Sequence, residues 1–117
     1  MEESRILRGE VYLEDASRHG GLLKKVRPVV VVQNDIGNSY AAHIIVAVIR
    51  DPHGGRMLPV FVPVAKGTGG LSKDSVVDAG HLNTIRREAL FRCLGMMPPE
   101  VMAAIDRALH LSLGLKR

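Results

Sequence analysis

The sequence has 117 residues, of which 46% are hydrophobic and 24% are charged, and it contains a single cysteine, Cys93. This length fits one domain over residues 1–117, and one cysteine excludes an intrachain disulfide, which favours a reducing, cytoplasmic location. Sixteen Lys and Arg against twelve Asp and Glu give a net charge of +4, a basicity that permits an anionic partner without requiring one.

The first half of the chain predicts three strands separated by polar loops. Residues 8–15 alternate apolar and polar side chains, as a half-buried strand does. Residues 28–34 open with Pro28 and four valines, which is typical of a strand buried on both faces with a proline at its first position. Residues 34–40 are rich in turn-forming types, and residues 43–50 predict a second buried strand.

The second half predicts an edge strand, further extended pieces and a closing helix. Residues 58–64 contain two prolines, which place that strand at an edge or a bulge. Residues 74–85 and 90–97 predict shorter extended pieces. From Pro98 onward apolar residues recur at three- and four-residue steps, which predicts an amphipathic helix that ends at Gly114. The expected fold is therefore mostly β (α+β): a small antiparallel, barrel-like sheet with a C-terminal helix.

Sequence patterns for metals, cofactors and membranes are absent. The five histidines and the cysteine have no paired ligand spacing, and K-G-T-G-G lacks the Lys-Ser/Thr that completes a phosphate-binding loop. No Ser or Cys lies in a nucleophile-elbow pattern. The N-terminal segment lacks the apolar core of a signal peptide, and no apolar run approaches the ~20 residues that span a bilayer. We therefore expect no metal, no cofactor and no membrane contact.

Basic residues in the loops are the remaining candidates for a site. Arginine forks match phosphate oxygens at two points, so a cluster of them can hold a phosphodiester, although a solvated basic rim is the simpler explanation. Arg27 stands where a loop meets a buried strand, and Glu14 or Asp35 is an alternative ion-pair partner for it. Arg50 ends a buried strand, and His43 is expected to point inward. The basic loop residues are Arg18, His19, Lys24, Lys25, Arg27, Arg50, His53 and Arg56.

Several segments, in constant order and at near-constant spacing, resemble a known family. They are R-G-E-V-Y, V-R-P-V-V-V-V-Q-N-D-I-G-N, L-P-V, D-S-V-V, T-I and the terminal A-L-H-L-S-L-G-L. In these segments the chain resembles the MazF/PemK family, the EndoA-type endoribonuclease toxins of toxin–antitoxin modules. The resemblance covers almost the whole chain, and the R-P junction together with Q-N-D-I-G-N is specific.

The resemblance implies an SH3-like barrel of the CcdB/MazF/PemK type with a C-terminal helix, assembled as a homodimer. It also implies cleavage of single-stranded RNA at short motifs without a metal. The 2′-hydroxyl attacks the adjacent phosphorus and leaves a 2′,3′-cyclic phosphate and a 5′-hydroxyl. A cognate antitoxin would inhibit by laying a disordered acidic segment along the RNA groove, where it folds as it binds.

The resemblance, taken together with the basic loops, gives individual residues their expected roles. Arg27 matches the family's catalytic arginine, and we assign it to electrostatic stabilisation because the high pKa of arginine makes it a poor base. Arg50 stands where the family usually has Thr or Ser, and it is the second catalytic candidate. Proton transfer then falls to His19, His53 or His81. The residues assigned to RNA binding are Lys24, Lys25, His19, His53, Arg56, His81 and Asn83.

Alternatives to an active ribonuclease remain open. Arg50 replaces the family's hydroxyl, and the first loop lacks the common G-S-E-Q segment, so a catalytically degenerate protein that binds RNA or an antitoxin is one alternative. A gyrase-poison-like toxin on the same fold is another, although the C-terminal S-L-G-L-K-R without Trp gives it little support. A barrel-shaped interaction module without a toxin role is the third.

Overall fold

The computed structural model describes residues 5–16, 25–52 and 54–115, which form one antiparallel sheet and one long helix. The elements are β1 (Glu10–Asp15), β2 (Val26–Val31), α1 (Asp35–Tyr40), β3 (His43–Arg50), β4 (Phe61–Val64), β5 (Ser75–Arg86), β6 (Leu90–Met96) and α2 (Pro99–Leu113). The strand order in the sheet is β4-β5-β3-β2-β1-β6, and α2 packs against β4 and β5. The predicted mostly β fold with a C-terminal helix is confirmed.

Both faces of the central strands are buried, which accounts for their continuous apolar runs. The face that packs against α2, called the helix face, includes Val30, Ala47 and Ile105. The opposite face, called the far face, includes Val29 and Val46. Neighbouring strand residues point to opposite faces, so consecutive valines of β2 supply both cores in turn.

Helix α2 begins and ends where the sequence predicts. Pro99 occupies its first turn together with Glu100, whose charge favours the positive end of the helix dipole. Gly114 ends the helix in the left-handed conformation at φ 68°, and its N–H donates to the carbonyls of His110 and Leu111. Among the described residues, no helix combines the length and apolar character needed to cross a bilayer.

The prediction that residues 34–40 form only a turn is wrong, because the segment contains helix α1. Asn34 caps the helix by accepting a backbone N–H at 2.8 Å. At the other end, Arg87 Nη2 donates to the carbonyls of Asn38 and Ala41, the latter at 3.0 Å. The helix thus depends on an arginine more than forty residues away in sequence, a contact that local turn chemistry does not reveal.

The sequence predicts Pro28 at the first position of its strand, but β2 begins at Val26 and Pro28 lies inside it. Val32 N donates to Ile45 O at 3.1 Å, so the even-numbered residues of β2 turn their amides toward β3. Pro28 is even-numbered and has no N–H, so β2 offers β3 no donor at that position. The last pair of the β2–β3 ladder is accordingly Val29↔Val48.

Three further details differ from the predicted elements. β4 begins later than predicted, at Phe61, although it is an edge strand as its proline content predicts. Residues 75–86 form one continuous strand with a register shift opposite Ala47 and Val48, rather than short pieces. His43 is exposed, so its predicted inward direction is wrong: it is the first residue of β3, where the helix-face core no longer covers the strand.

Gly70 offers a test of the packing between the loop after β4 and strand β6. A Cβ at Gly70 would lie 2.1 Å from Leu94 O, whereas one at Gly67 would meet open space, and both glycines have positive φ, +81° and +92°. We expect Gly67→Ala to lower the free energy of unfolding by about 1–2 kcal/mol, the usual cost of a left-handed non-glycine residue. Gly70→Ala should lower it by clearly more, because β6 must also move.

Urea denaturation of both variants at one fixed protein concentration measures the difference. Equal losses of stability in the two variants would contradict the close approach of Gly70 to β6.

Candidate active site

Strand alternation brings both predicted catalytic residues to the far face at one end of the sheet. Arg27 lies on the same face of β2 as Val29, and Arg50 lies on the same face of β3 as Val48. Continuing the register of the Val29↔Val48 pair by two residues places Arg27 opposite Arg50, beyond the end of the ladder. The two arginines therefore project from neighbouring strands where the pairing between β2 and β3 stops, while each stays paired with the strand on its other side.

Arg27 is held by residues on two other strands. Its Nε donates to Glu14 Oε1 at 3.3 Å, directly across the β1–β2 pair. The amide of Asn83 is assigned in the orientation that satisfies both of its ends, in which Asn83 Oδ1 accepts from Arg27 Nη2 at 2.8 Å. Of the two predicted partners Glu14 is therefore the one used, while Asp35 accepts the backbone N–H of Arg8 at 2.6 Å.

Arg50 is held by a carboxylate and an aromatic ring. Its Nη2 lies 2.5 Å from Asp78 Oδ2, and its guanidinium carbon lies 5.4 Å from the centre of the Phe61 ring, within cation–π range. The second oxygen of Asp78 accepts the N–H of Gly80 at 2.9 Å. The contact with Asp78 uses one of the five N–H donors of a guanidinium, so the group retains donors for a further ligand.

The Arg27–Glu14 and Arg50–Asp78 ion pairs are oriented alike, with the acid buried and the arginine partly exposed to solvent. The side chain of Glu14 is 0% exposed and that of Asp78 is 7% exposed, whereas those of Arg27 and Arg50 are 35% and 41% exposed. The four formal charges cancel, but the negative ends face the interior and the positive ends face solvent. An anion that approaches this surface therefore meets two guanidinium groups, each oriented by the buried carboxylate that it contacts.

The other residues predicted to bind RNA lie on several elements, and some fall outside the described part of the chain. Lys25 is exposed directly before β2, and His81 is exposed on β5 within its register shift. Arg56 is exposed in the loop before β4, where it lines a cavity of about 210 Å³ together with Arg50. Three residues predicted to bind RNA lie outside the described ranges: His19, Lys24 and His53.

Comparison with known proteins identifies the family. Residues 7–113 match the family described as PemK-like, MazF-like toxin of type II toxin-antitoxin system. The chain belongs to this family. The family resemblance inferred from the sequence segments is thereby confirmed.

Individual relatives support the assignment and the fold. Endoribonuclease MazF of Staphylococcus epidermidis is 40% identical over 111 residues, which cover 94% of this chain and 92% of that protein. An endoribonuclease in complex with its cognate antitoxin from Mycobacterial species has 27% identity and a TM-score of 0.79, covering 96% of this chain and 98% of that one. MazF of Deinococcus radiodurans, at 18% identity and a TM-score of 0.76 over 97% of this chain and 100% of that one, shares the fold.

The sequence-based predictions for this MazF-like chain assign no role to Asp78, although the sequence around this residue indicates one. The acid stands in the apolar run V-V-D-A of a buried strand, and a buried carboxylate is costly unless it has a partner. The register of β5 sets Asp78 opposite Val48 on one side and Phe61 on the other. The partner, Arg50, follows from that long-range register and not from any local spacing.

A second polar group on the far face joins β1 to β6. Tyr12 Oη donates to Glu10 Oε1 at 3.1 Å, and Cys93 Sγ lies 3.6 Å from the other oxygen of Glu10. Burial and the negative charge of Glu10 raise the pKa of the Cys93 thiol, and the same two causes raise the pKa of Tyr12. A raised thiol pKa lowers the thiolate fraction at neutral pH, so Cys93 is poorly suited to act as a nucleophile.

The cause of the raised thiol pKa is testable because the chain has a single cysteine. Glu10→Gln removes the adjacent negative charge, so the pKa of Cys93 should fall and its alkylation by iodoacetamide at pH 8 should accelerate. A fall of one pKa unit raises the thiolate fraction about tenfold while most of the thiol is protonated, so the gain in rate reports the size of the change.

The matched control is Glu100→Gln, which neutralises an exposed glutamate at the start of α2. The pH dependence of alkylation in this control should match that of the wild-type protein. Identical profiles for Glu10→Gln and the control would show that Glu10 does not set the pKa of Cys93.

Proposed function

We propose that this chain is the toxin of a type II toxin–antitoxin pair and a metal-independent endoribonuclease that cleaves single-stranded RNA. The activity is supported by the relative named Endoribonuclease MazF, and the antitoxin partner by the mycobacterial complex. We further propose that residues 1–117 act as a single domain, as a homodimer and in the cytoplasm. The observation that carries the catalytic proposal is the placement of Arg27 and Arg50 on one sheet face, each held by a buried carboxylate.

In the proposed reaction the RNA 2′-hydroxyl attacks the adjacent phosphorus. The bond from O2′ to phosphorus forms as the bond from phosphorus to O5′ breaks, which yields a 2′,3′-cyclic phosphate and a 5′-hydroxyl. Negative charge grows on the non-bridging oxygens along this path, so preoriented N–H donors stabilise the transition state more than the ground state. Arg27 and Arg50 supply such donors from adjacent strands.

Proton transfer requires groups other than the two arginines. One proton must leave the 2′-hydroxyl and one must reach the 5′-oxygen, whereas arginine remains protonated at neutral pH. His81 is the candidate within the described ranges, because it is exposed on β5 two residues before Asn83, which contacts Arg27. His19 and His53 are the candidates in the loops.

RNA binding is assigned mainly to cations and hydrogen bonds. The chain has two Tyr, two Phe and no Trp, so stacking of bases on aromatic rings contributes less here than in most single-strand-binding proteins. Lys24, Lys25 and Arg56 supply phosphate contacts around the catalytic pair, and Asn83 supplies an amide. Binding should therefore weaken with salt, with a slope of about −0.7 per phosphate neutralised.

A degenerate protein that binds RNA or an antitoxin without cleaving is the second candidate function. Arg50 stands where MazF-like relatives are expected to have a hydroxyl, and its guanidinium is paired with Asp78 at 2.5 Å. A guanidinium paired with an acid presents less net charge to RNA. Measuring binding and cleavage separately distinguishes this candidate from the enzyme.

The cleavage assay centres on Arg27. Wild-type protein with mixed-sequence RNA and excess EDTA should release discrete fragments that end in cyclic phosphate. Arg27→Ala should lower the rate by about 10²–10³-fold, as the loss of one transition-state donor typically does. Arg27→Lys, which keeps a positive charge beside Glu14 but loses the fork, should retain more activity than the alanine variant.

The control for this assay is Arg86→Ala, which removes an exposed arginine on β5 whose partner is Glu88 at 3.7 Å. This variant should cleave at the wild-type rate. If RNA stays intact at a high concentration of wild-type protein, the ribonuclease proposal is wrong. If Arg27→Ala cleaves RNA at the wild-type rate, Arg27 has no part in the mechanism.

Arg50 is tested by restoring the hydroxyl expected from the family pattern. Because Arg50 is anchored by Asp78 and Phe61 on the same face as Arg27, we expect Arg50→Thr to lower the cleavage rate by about 10²-fold, within the usual range for one electrostatic contact. Initial rates on one short RNA measure the change. A faster variant would mean that Arg50 impairs the site, and an unchanged rate would make it surface without a catalytic role.

A further inference from the structure

Asp78 is a buried acid with both carboxylate oxygens engaged. It is 5% exposed, and its strand neighbours Val77 and Ala79 are fully buried on the helix face. Oδ2 lies 2.5 Å from Arg50 Nη2, and Oδ1 accepts the N–H of Gly80 at 2.9 Å. Two separate contacts on the two oxygens fix the rotation of the carboxylate, so Asp78 is a rigid support and not a mobile surface acid.

The register shift in β5 creates the second of these contacts. Val48 pairs with Asp78, but the preceding β3 residue, Ala47, pairs with Leu82, so residues 79–81 form a bulge. Gly80 lies in this bulge and turns its N–H toward Asp78. A Cβ at Gly80 would lie 3.2 Å from Asp78 Oδ1, so the backbone approaches the acid at a position where a side chain would crowd it.

Phe61 restricts the orientation of the Arg50 side chain from a second direction. Phe61 and Asp78 are directly opposite each other across the β4–β5 pair, and the guanidinium of Arg50 lies over the Phe61 ring at 5.4 Å. An arginine held by a carboxylate at one nitrogen and by a ring on one face has little freedom to reorient. Its remaining N–H donors therefore point in a fixed direction on the far face.

We propose that Asp78 is a positioning residue that holds Arg50 in the direction needed to bind the scissile phosphate. The proposal rests on the proposed ribonuclease function and deepens it, because it makes Arg50 and Asp78 one unit. Asp78 does not touch the RNA; it acts through the guanidinium. Arg50 is 41% exposed and the side chain of Asp78 is 7% exposed, so RNA meets the cation while the acid stays beneath it.

The opposite role for Asp78 is inhibitory, with the acid neutralising Arg50 and weakening its pull on phosphate. The two roles predict opposite changes for Asp78→Asn, which keeps the size of the side chain and an oxygen that can accept the Gly80 N–H. Positioning predicts a slower enzyme. Neutralisation predicts a faster one.

The experiment measures kcat and KM for EDTA-treated cleavage of a short RNA by the full-length protein. We expect Asp78→Asn to lower kcat by about tenfold or more and to change KM by less than about threefold, because a freely rotating arginine still attracts RNA but seldom meets the transition state. The matched control is Asp106→Asn, which neutralises an exposed acid on α2 paired with Arg8 at 2.9 Å. This control should keep both constants.

A double-mutant cycle shows whether Asp78 acts through Arg50. In the Arg50→Ala background, Asp78→Asn should leave kcat unchanged. It should also raise the melting temperature in that background, because Arg50→Ala removes the cation that contacts a buried carboxylate and Asp78→Asn then removes its charge. In the Arg50→Ala background, Asp78→Asn would thus change stability without changing kcat. A purely structural role of Asp78 does not predict this separation.

Each contrary result overturns the inference. A faster or unchanged Asp78→Asn variant does so, and so does an equal loss of kcat with and without Arg50. If the wild-type protein cleaves RNA and Arg27→Ala slows that cleavage as expected, the proposed function stands whatever the result for Asp78. A wild-type protein that binds this RNA without cutting it overturns both the function and the positioning role.

Discussion

The site depends on one missing hydrogen-bond donor, the backbone N–H that Pro28 lacks. The even-numbered residues of β2 face β3, so the ladder stops at Val29↔Val48 and the next same-face residues, Arg27 and Arg50, project beyond it. Behind them the strands are buried on both faces, which makes the backbone rigid up to the last pair. A functional site benefits from this arrangement, because rigid elements position side chains more accurately than loops do.

Buried acids complete the arrangement. Glu14 and Asp78 each lie beneath an arginine, so the protein offsets the cost of burying a carboxylate with the same contact that orients a cation. Arginine at position 50 also changes the chemistry expected of a MazF-like toxin. A hydroxyl can donate and accept, whereas a guanidinium only donates. In the proposed mechanism, charge stabilisation by Arg50 therefore comes with a greater need for a separate proton carrier.

Much of this could be predicted from sequence, for identifiable reasons. The continuous apolar run of residues 43–50 predicts that strand with its observed bounds, and the apolar period together with the terminal Gly114 predicts α2. The sequence offers two acids as ion-pair partners of Arg27, and Glu14 is the correct one. Local turn chemistry does not predict helix α1, because Arg87 holds the end of that helix from far along the chain. The predicted direction of His43 is wrong because alternation alone does not show where a core ends.

By itself the sequence determined the succession of strands along the chain, the closing helix, the family and Arg27 as the first candidate for a catalytic residue. These features depend on local pattern, turn chemistry and a motif of adjacent residues. Only the tertiary structure decided that Arg50 faces the same side as Arg27, that Asp78 and Phe61 hold it, and that Asn83 reaches Arg27. The reason is physical: a shift of one residue in strand register reverses the face of every side chain, and register is set by long-range packing.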